Sequence, residues 1–431
     1  MNICLEAGIA RKDITPDIGG QLFGYRPDVF SESVSDNLTV TAIALYQGDV
    51  TVMLISAAVG IFQTELSDKI RTAVTAETGV RHVLLSATHT HSGPNTAGLT
   101  GWGDVDSAYC DSILIPRTIE AAKEAVCSLK AVTLGIGTVK SHVGVNRRQH
   151  NIDGTISLGQ NPWGVLDDTM TVLRFSEPCG KSVVNLVHYG CHCTAAGINT
   201  EITGDWAGVM LDRLETESGV PAVFINGAAG DIGPRLSNGQ TIGDINYAHK
   251  LGGVAALDAV EAWKNAKHSR TVNLTVTAGE LILPVKSRMP YHEAQKRLDE
   301  LAENSMNIDA QKWSHYKDIT DACNQNLPEE THLILPQILI ALGDVVFVPF
   351  RFELFAEISL RMRKHSPFVH TLCMGYTNGF VSYLPSQDQL CLGGYEIDMF
   401  KTSRVQPLAD NTDDNIIKEN LTLIKSLKER N

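Results

Sequence analysis

The strongest constraint on this fold is a recurring pattern. Short apolar, β-rich runs stop abruptly in segments of histidine, glycine and other small residues, at 82–85, 182–187 and 222–225. Runs this short and apolar predict buried strands rather than helices. Paired runs at 38–46 and 51–59 flank Gln47-Gly48-Asp49, a hairpin signal. Further strands are predicted over 131–145 and 170–175, and helical periodicity marks 66–74, 111–129, 206–217 and 247–263. Beyond these, the pattern predicts strands over 271–284, a helix over 290–303 that is polar on one side, and a strand pair over 333–348. Helices over 352–364 and 415–428 complete it.

Strands alternating with helices, followed by strand pairs, indicate an α/β fold with a mixed sheet and flanking helices. No internal repeat and no Pro/Ser-rich linker divides the chain, so one large domain over 1–431 is expected. Ligands in open α/β sheets sit beyond the carboxyl ends of strands. The segments just after the short apolar runs are therefore the places to look for chemistry.

Charge and cysteine content narrow the partners and the compartment. Lys+Arg 36 against Asp+Glu 49 gives a net charge of −13 without long single-sign runs. Such a surface repels nucleic-acid phosphates and anionic lipid, so neither nucleic acid nor stable membrane association is expected, and a small-molecule substrate is. A hydrophobic fraction of 43% argues against disorder. The start, Met1-Asn2-Ile3-Cys4-Leu5-Glu6-Ala7-Gly8, lacks the basic and apolar parts of a secretory signal. The apolar stretch 333–350 is broken by Pro336, Gln337, Gly343 and Asp344, which reads as two strands and a turn, not a spanning helix. Nine cysteines without module-like spacing fit reduced core thiols and a cytoplasmic protein.

Four segments could carry chemistry. Thr88-His89-Thr90-His91-Ser92-Gly93-Pro94 follows the strand at 82–85, and residues two apart in extended chain share a face, so His89 and His91 can enter one site. Neutral imidazole is a common zinc ligand, and hydrogen-bonded loop histidines are the other reading. In His188-Tyr189-Gly190-Cys191-His192-Cys193, the cysteines are expected in the core and one histidine as a ligand. Asp205, at a helix start, is expected to cap that helix, to orient a ligating imidazole, or both. Asn226-Gly227-Ala228-Ala229-Gly230-Asp231-Ile232-Gly233-Pro234 is either a tight turn or a place where backbone closely approaches a ligand. It is not a P-loop, because no Gly-Lys-Ser/Thr follows.

Together these segments resemble the catalytic domain of the neutral/alkaline ceramidases, a family of zinc amidases. The resemblance begins with Ala7-Gly8-Ile9-Ala10-Arg11-Lys12-Asp13-Ile14-Thr15-Pro16. It runs through Thr88 to Pro94, Asn146-Arg147-Arg148, Asp205 and Gly227-Ala228-Ala229-Gly230-Asp231. It ends with a glutamate helix at 352–357, Gly375-Tyr376-Thr377-Asn378 through Tyr383, and Gly394-Tyr395-Glu396. The resemblance implies one zinc ion held by His89, His192, Glu353 and Tyr383. It implies that His91 contacts substrate or the zinc-bound water, and that Arg147 faces the substrate carbonyl. Asp205 and Tyr395 would stand behind the ligands or face the substrate.

This sequence departs from that family in several places. Gly233 stands where the ceramidases carry the serine proposed as nucleophile, so serine-dependent acyl transfer does not carry over. Cys193 replaces the proline usual after the ligand histidine, and the family's immunoglobulin-like carboxyl-terminal domain and secretion signal have no counterpart in these residues. The expected reaction is therefore attack of metal-activated water on an amide or ester carbonyl. Zinc and Arg147 would stabilise the oxyanion, and Asp231 or His91 would handle the proton. With no amphipathic anchor or basic patch, a soluble substrate is expected. A ceramidase or other N-acyl lipid amidase is the first alternative, and an inactive metal- or metabolite-binding protein is the second. Trp102 and Trp163, on glycine-bearing loops, are candidates for lining a pocket or for loop packing.

Overall fold

The computed structural model describes residues 4–268, 272–303, 309–402 and 406–430. Residue 271, the first of the strand expected over 271–284, lies outside the described residues; the rest of that stretch forms Leu274–Pro284.

Three main sheets carry the architecture. The first has the order His82–Ala87, Val50–Ala57, Thr39–Gln47, Glu6–Asp13, Lys130–Ala131. Its hairpin pairs Val40 with Ala57 and Gln47 with Val50, and Gly48 turns the chain at a φ of 61°. The second runs Ala222–Asn226, Ser182–Tyr189, Thr169–Ser176, Thr133–Lys140, Lys267–His268. The third runs Leu274–Pro284, His332–Leu342, Val345–Pro349, His370–Met374. Each sheet is mostly antiparallel, but one edge strand pairs in parallel with its neighbour: His82–Ala87, Ala222–Asn226 and His370–Met374. Mixed sheets with flanking helices are thus what the alternation of periods indicated.

The sheets meet at a shared core. Ile43, Leu54 and Leu84 from the first pack with Leu173, Leu186 and Ile225 from the second and with Val345, Phe347 and Leu372 from the third. Helices cover the outer faces. Thr64–Thr78 and Ile115–Cys127 lie with the first sheet, Asp205–Ser218 and Ile245–Lys264 with the second, and Thr412–Lys428 with the third. Their buried residues fall at helical spacing, as with Leu66, Ile70 and Val74.

Two local expectations change. Residues 352–357 are not one helix: Phe352–Leu354 is a strand and the helix begins at Ala356. The strand forms because Ser382–Leu384 pairs with it in parallel, placing Glu353 opposite Tyr383. A helix at Ala310–Asn324, packed on Tyr291–Glu303, is absent from the sequence reading. Among the described residues no helix is long and apolar enough to cross a membrane.

Candidate metal centre

The site forms where chain leaves the carboxyl ends of the parallel strands. His89 and His91 follow His82–Ala87, His192 follows Ser182–Tyr189, Tyr376 follows His370–Met374, and Glu353 lies just past Val345–Pro349. Bridges between Ser86 and Thr377 and between Thr90 and Cys193 tie these exits together. His89 (φ 70°) and Tyr376 (φ 53°) both adopt the left-handed backbone region, which bulky side chains rarely occupy. Such strain persists where surrounding structure enforces it, and it clusters at functional sites.

The donor atoms converge. Side-chain nitrogens of His89, His91 and His192 all lie within 4.8 Å of one another. Glu353 Oε2 is 3.4 Å from His89 Nε2 and 3.1 Å from His192 Nε2. The far sides of two rings meet backbone carbonyls. His89 Nδ1 is 2.8 Å from Gly60 O, and His192 Nδ1 is 2.7 Å from Ala229 O. A carbonyl only accepts, so each Nδ1 carries the proton and each Nε2 turns a lone pair inward.

That arrangement repels itself without a positive charge. Burial, with the nearby Arg147 charge, pushes the His192 imidazole down to about 3, so the ring is neutral. Burial alone would push the Glu353 carboxyl up, yet His89 and His192 hold it well below the usual range, so it is ionised. His192 Nε2 is buried with no aligned hydrogen-bond partner despite the carboxylate beside it. Inward lone pairs facing a carboxylate oxygen fit a bound cation, and these are zinc-type ligands. Tyr376 completes the wall: its ring stacks on His89 at 4.0 Å between centroids, and its hydroxyl donates to Glu353 Oε2 at 3.3 Å.

A basic side chain borders the cluster. Arg147 Nη2 donates to the Tyr383 hydroxyl at 2.9 Å, and its Nε donates to Glu396 Oε1 at 2.8 Å. Arg148 Nη1 holds the other oxygen, Glu396 Oε2, at 2.8 Å. Both arginines and Glu396 are buried, so one carboxylate compensates two guanidiniums and fixes the orientation of Arg147. The Tyr395 and Tyr383 rings are 6.0 Å apart, with the Arg147 guanidinium 5.8 Å from the Tyr395 ring.

No protein-family model matches the sequence, and no curated protein matches it. Solved structures do. Neutral ceramidase from Pseudomonas aeruginosa superposes with a TM-score of 0.76 at 17% identity, over 100% of this chain and 75% of that one. A ceramidase complexed with C2 gives 0.71 at 16% identity, over 100% and 76%. The fold is neutral ceramidase-like.

Within that ceramidase-like fold, several sequence expectations are corrected. Asp205 orients no imidazole. Its carboxylate accepts the backbone N–H groups of Ala195, Ala196 and Trp206, and backbone carbonyls hold the His89 and His192 rings instead. Asp205 does satisfy a free donor of its own helix, accepting the first-turn Trp206 N–H from a non-helical backbone at φ 58°, so the capping part of the expectation holds although the formal capping position is Gly204. Asp231 accepts the Ala356 N–H at 2.8 Å and the Asn146 side-chain amide at 2.9 Å. It lies in the wall of a separate cavity of about 430 Å³, together with Trp163 and Asp388. Of the two candidates for the proton, His91 is therefore the one whose ring nitrogen faces the cluster, with Nε2 3.2 Å from His89 Nε2.

The cysteines pack in the core as expected, and of the two histidines His192 alone stands in the cluster. Cys191 and Cys193 are fully buried in the core, and His188 Nε2 bonds Cys373 O away from the site. At Gly233 there is no room for a side chain: a Cβ would meet Thr241 Cβ at 2.7 Å. Trp102 packs on Phe23, whereas Trp163 is 95% exposed.

Tyr376, Glu396, Arg148 and Tyr25 are site residues to which the sequence reading gives no role. The segments Gly375-Tyr376-Thr377-Asn378 and Gly394-Tyr395-Glu396 were the available signals for Tyr376 and Glu396. Tyr25 packs its ring 5.1 Å from that of His91, and its buried hydroxyl has no partner among the described residues.

Proposed function

We propose that this protein is a metal-dependent hydrolase that cleaves an amide, or an ester, of a soluble small molecule. The observation that carries the reading is the inward convergence of imidazole lone pairs and the ionised Glu353, beside a guanidinium fixed by Glu396. His89, His192 and Glu353 would hold one zinc ion, with Tyr383 as the fourth ligand. Bound zinc lowers the pKa of a coordinated water from about 16 to about 7 and polarises a carbonyl.

The chain's own groups supply the rest. Arg147 donates to the carbonyl oxygen as negative charge develops there, and Glu396 keeps it aimed. His91 is neutral, because burial and the adjacent His89 and His192 hold it well below its ordinary pKa. Its Nε2 takes a proton from the attacking water and returns it to the leaving nitrogen as the C–N bond breaks. Direct attack by water needs no side chain at 233, where Thr241 already fills the space.

The fold favours one second reading, an N-acyl lipid amidase, since the proteins it resembles are ceramidases. Assaying a panel of soluble N-acyl amides, esters and a short-chain ceramide, before and after chelation, tests both. Chelation-sensitive turnover confined to the soluble compounds supports the first reading. Turnover confined to ceramide supports the second.

A further inference from the structure

A cavity of about 360 Å³ opens beside Tyr383 and is walled by chain from several elements. It shares Ile61 with the segment whose Gly60 carbonyl holds His89, so it adjoins the candidate centre. Its size sits at the low end of the roughly 300–1,000 Å³ usual for small-molecule sites.

The lining is chemically mixed. Gln63, Gln311, Ser314 and Ser382 present amide and hydroxyl groups, and Asp318 adds a carboxylate. None of the described lining residues carries a positive charge. Ser382 is buried, and its hydroxyl has no hydrogen-bond partner among the described residues. A buried hydroxyl left unpaired is costly unless a ligand or water completes it. Leu99, Phe380 and Met399 line the same cavity. Hydroxyl and amide groups interleaved with an aromatic ring and aliphatic side chains suit a compact group that is itself amphipathic. A hydroxylated ring has that character, with polar edges and C–H faces. An alkyl chain would set apolar surface against Gln63, Gln311, Ser314 and Asp318, and an anionic group would meet Asp318 without a compensating cation.

We infer that this cavity binds a hydroxylated, uncharged or cationic ring, and that the substrate is an N-acylated amino sugar or aminocyclitol. The inference rests on the hydrolase reading for the position of the bond to be cleaved, but the binding preference stands apart from turnover.

Calorimetry on the intact protein separates the two. The probes are N-acetylglucosamine and N-acetylcyclohexylamine, which share a ring and an amide but differ in hydroxyls. The hydroxylated probe is expected to bind at least about tenfold more tightly, the factor that one or two net hydrogen bonds supply. Gln311→Leu, on the surface-facing helix Ala310–Asn324, is expected to reduce that preference several-fold without changing the affinity for the cyclohexyl probe. Equal affinities, a preference for the cyclohexyl probe, or no binding of either overturns the inference. Tight, hydroxyl-dependent binding with no hydrolysis of either amide upholds the subsite and counts against the hydrolase reading.

Discussion

Burying the Tyr25 hydroxyl without a partner costs on the order of 1–3 kcal/mol. The ring stands 5.1 Å from that of His91, so a substrate that reaches this histidine is the partner expected for the hydroxyl. Tyr25→Phe is therefore expected to leave the protein equally or more stable in urea unfolding while kcat/KM falls about tenfold, the value of one substrate hydrogen bond. A loss of stability with unchanged kinetics would show that the hydroxyl serves the fold. Arg147 makes the opposite case, since it is bonded on both sides. Arg147→Ala should lower kcat by roughly 10²–10³, as removal of a preorganised oxyanion donor does. It should also lower the melting temperature, because Glu396 stays buried with only Arg148 as its cationic partner. Steady-state kinetics and a thermal scan of the same preparation check both effects.

At the scale of elements, the loop carrying Gly24 sets the position of His91. Phe23 N–H donates to Gly93 O, and Gly24 has a φ of 115°. A Cβ at Gly24 would lie 2.2 Å from His91 Nδ1, so only glycine permits this approach. Gly24→Ala is expected to keep about one bound metal per chain while kcat falls by roughly 10²-fold or more, the range for loss of a general base. Metal analysis beside kinetics checks this; loss of the metal would make His91 a ligand instead. Much at this scale was legible in the sequence. The hairpin around Gly48 and the helices at Thr64–Thr78 and Ile245–Lys264 follow from period and turn chemistry alone. The helix Ala310–Asn324 did not, because its polar sequence gains an apolar face only by pairing with Tyr291–Glu303. The strand at Glu353 was missed for a similar reason, since its partner Tyr383 lies in a distant segment.

At the scale of the whole molecule, the candidate site is a product of long-range closure. His89 stands out in its own motif and Glu353 only through the family resemblance, while the Arg147–Glu396 pair spans 249 positions and no local pattern announces it. Stability should also report on buried charge. Burial raises the Asp231 carboxyl from 3.8 to about 7. An acid raised on folding stabilises the fold fully below about pH 4, and that contribution is lost as pH rises to about 7. His192 acts oppositely in metal-free protein: lowered from 6.5 to about 3, it contributes above pH 6.5 and loses that contribution as pH falls toward 3. The Asp231 share is therefore read as a difference. Urea unfolding of metal-free Asp231→Asn should gain on the unsubstituted protein as pH rises from about 4 to about 7, by at most ~1.4 kcal/mol per pH unit. Parallel stability curves would contradict the raised value.

In the proposed site, His89, His192 and Glu353 close around one catalytic cation. Elemental analysis of the purified protein, with hydrolysis of the best amide substrate followed through chelation and metal return, tests it most directly. About one equivalent of zinc is expected, with activity lost on chelation and restored by zinc, and neither zinc nor activity in His192→Ala. Full activity in protein that holds no metal and takes up none on titration would contradict it.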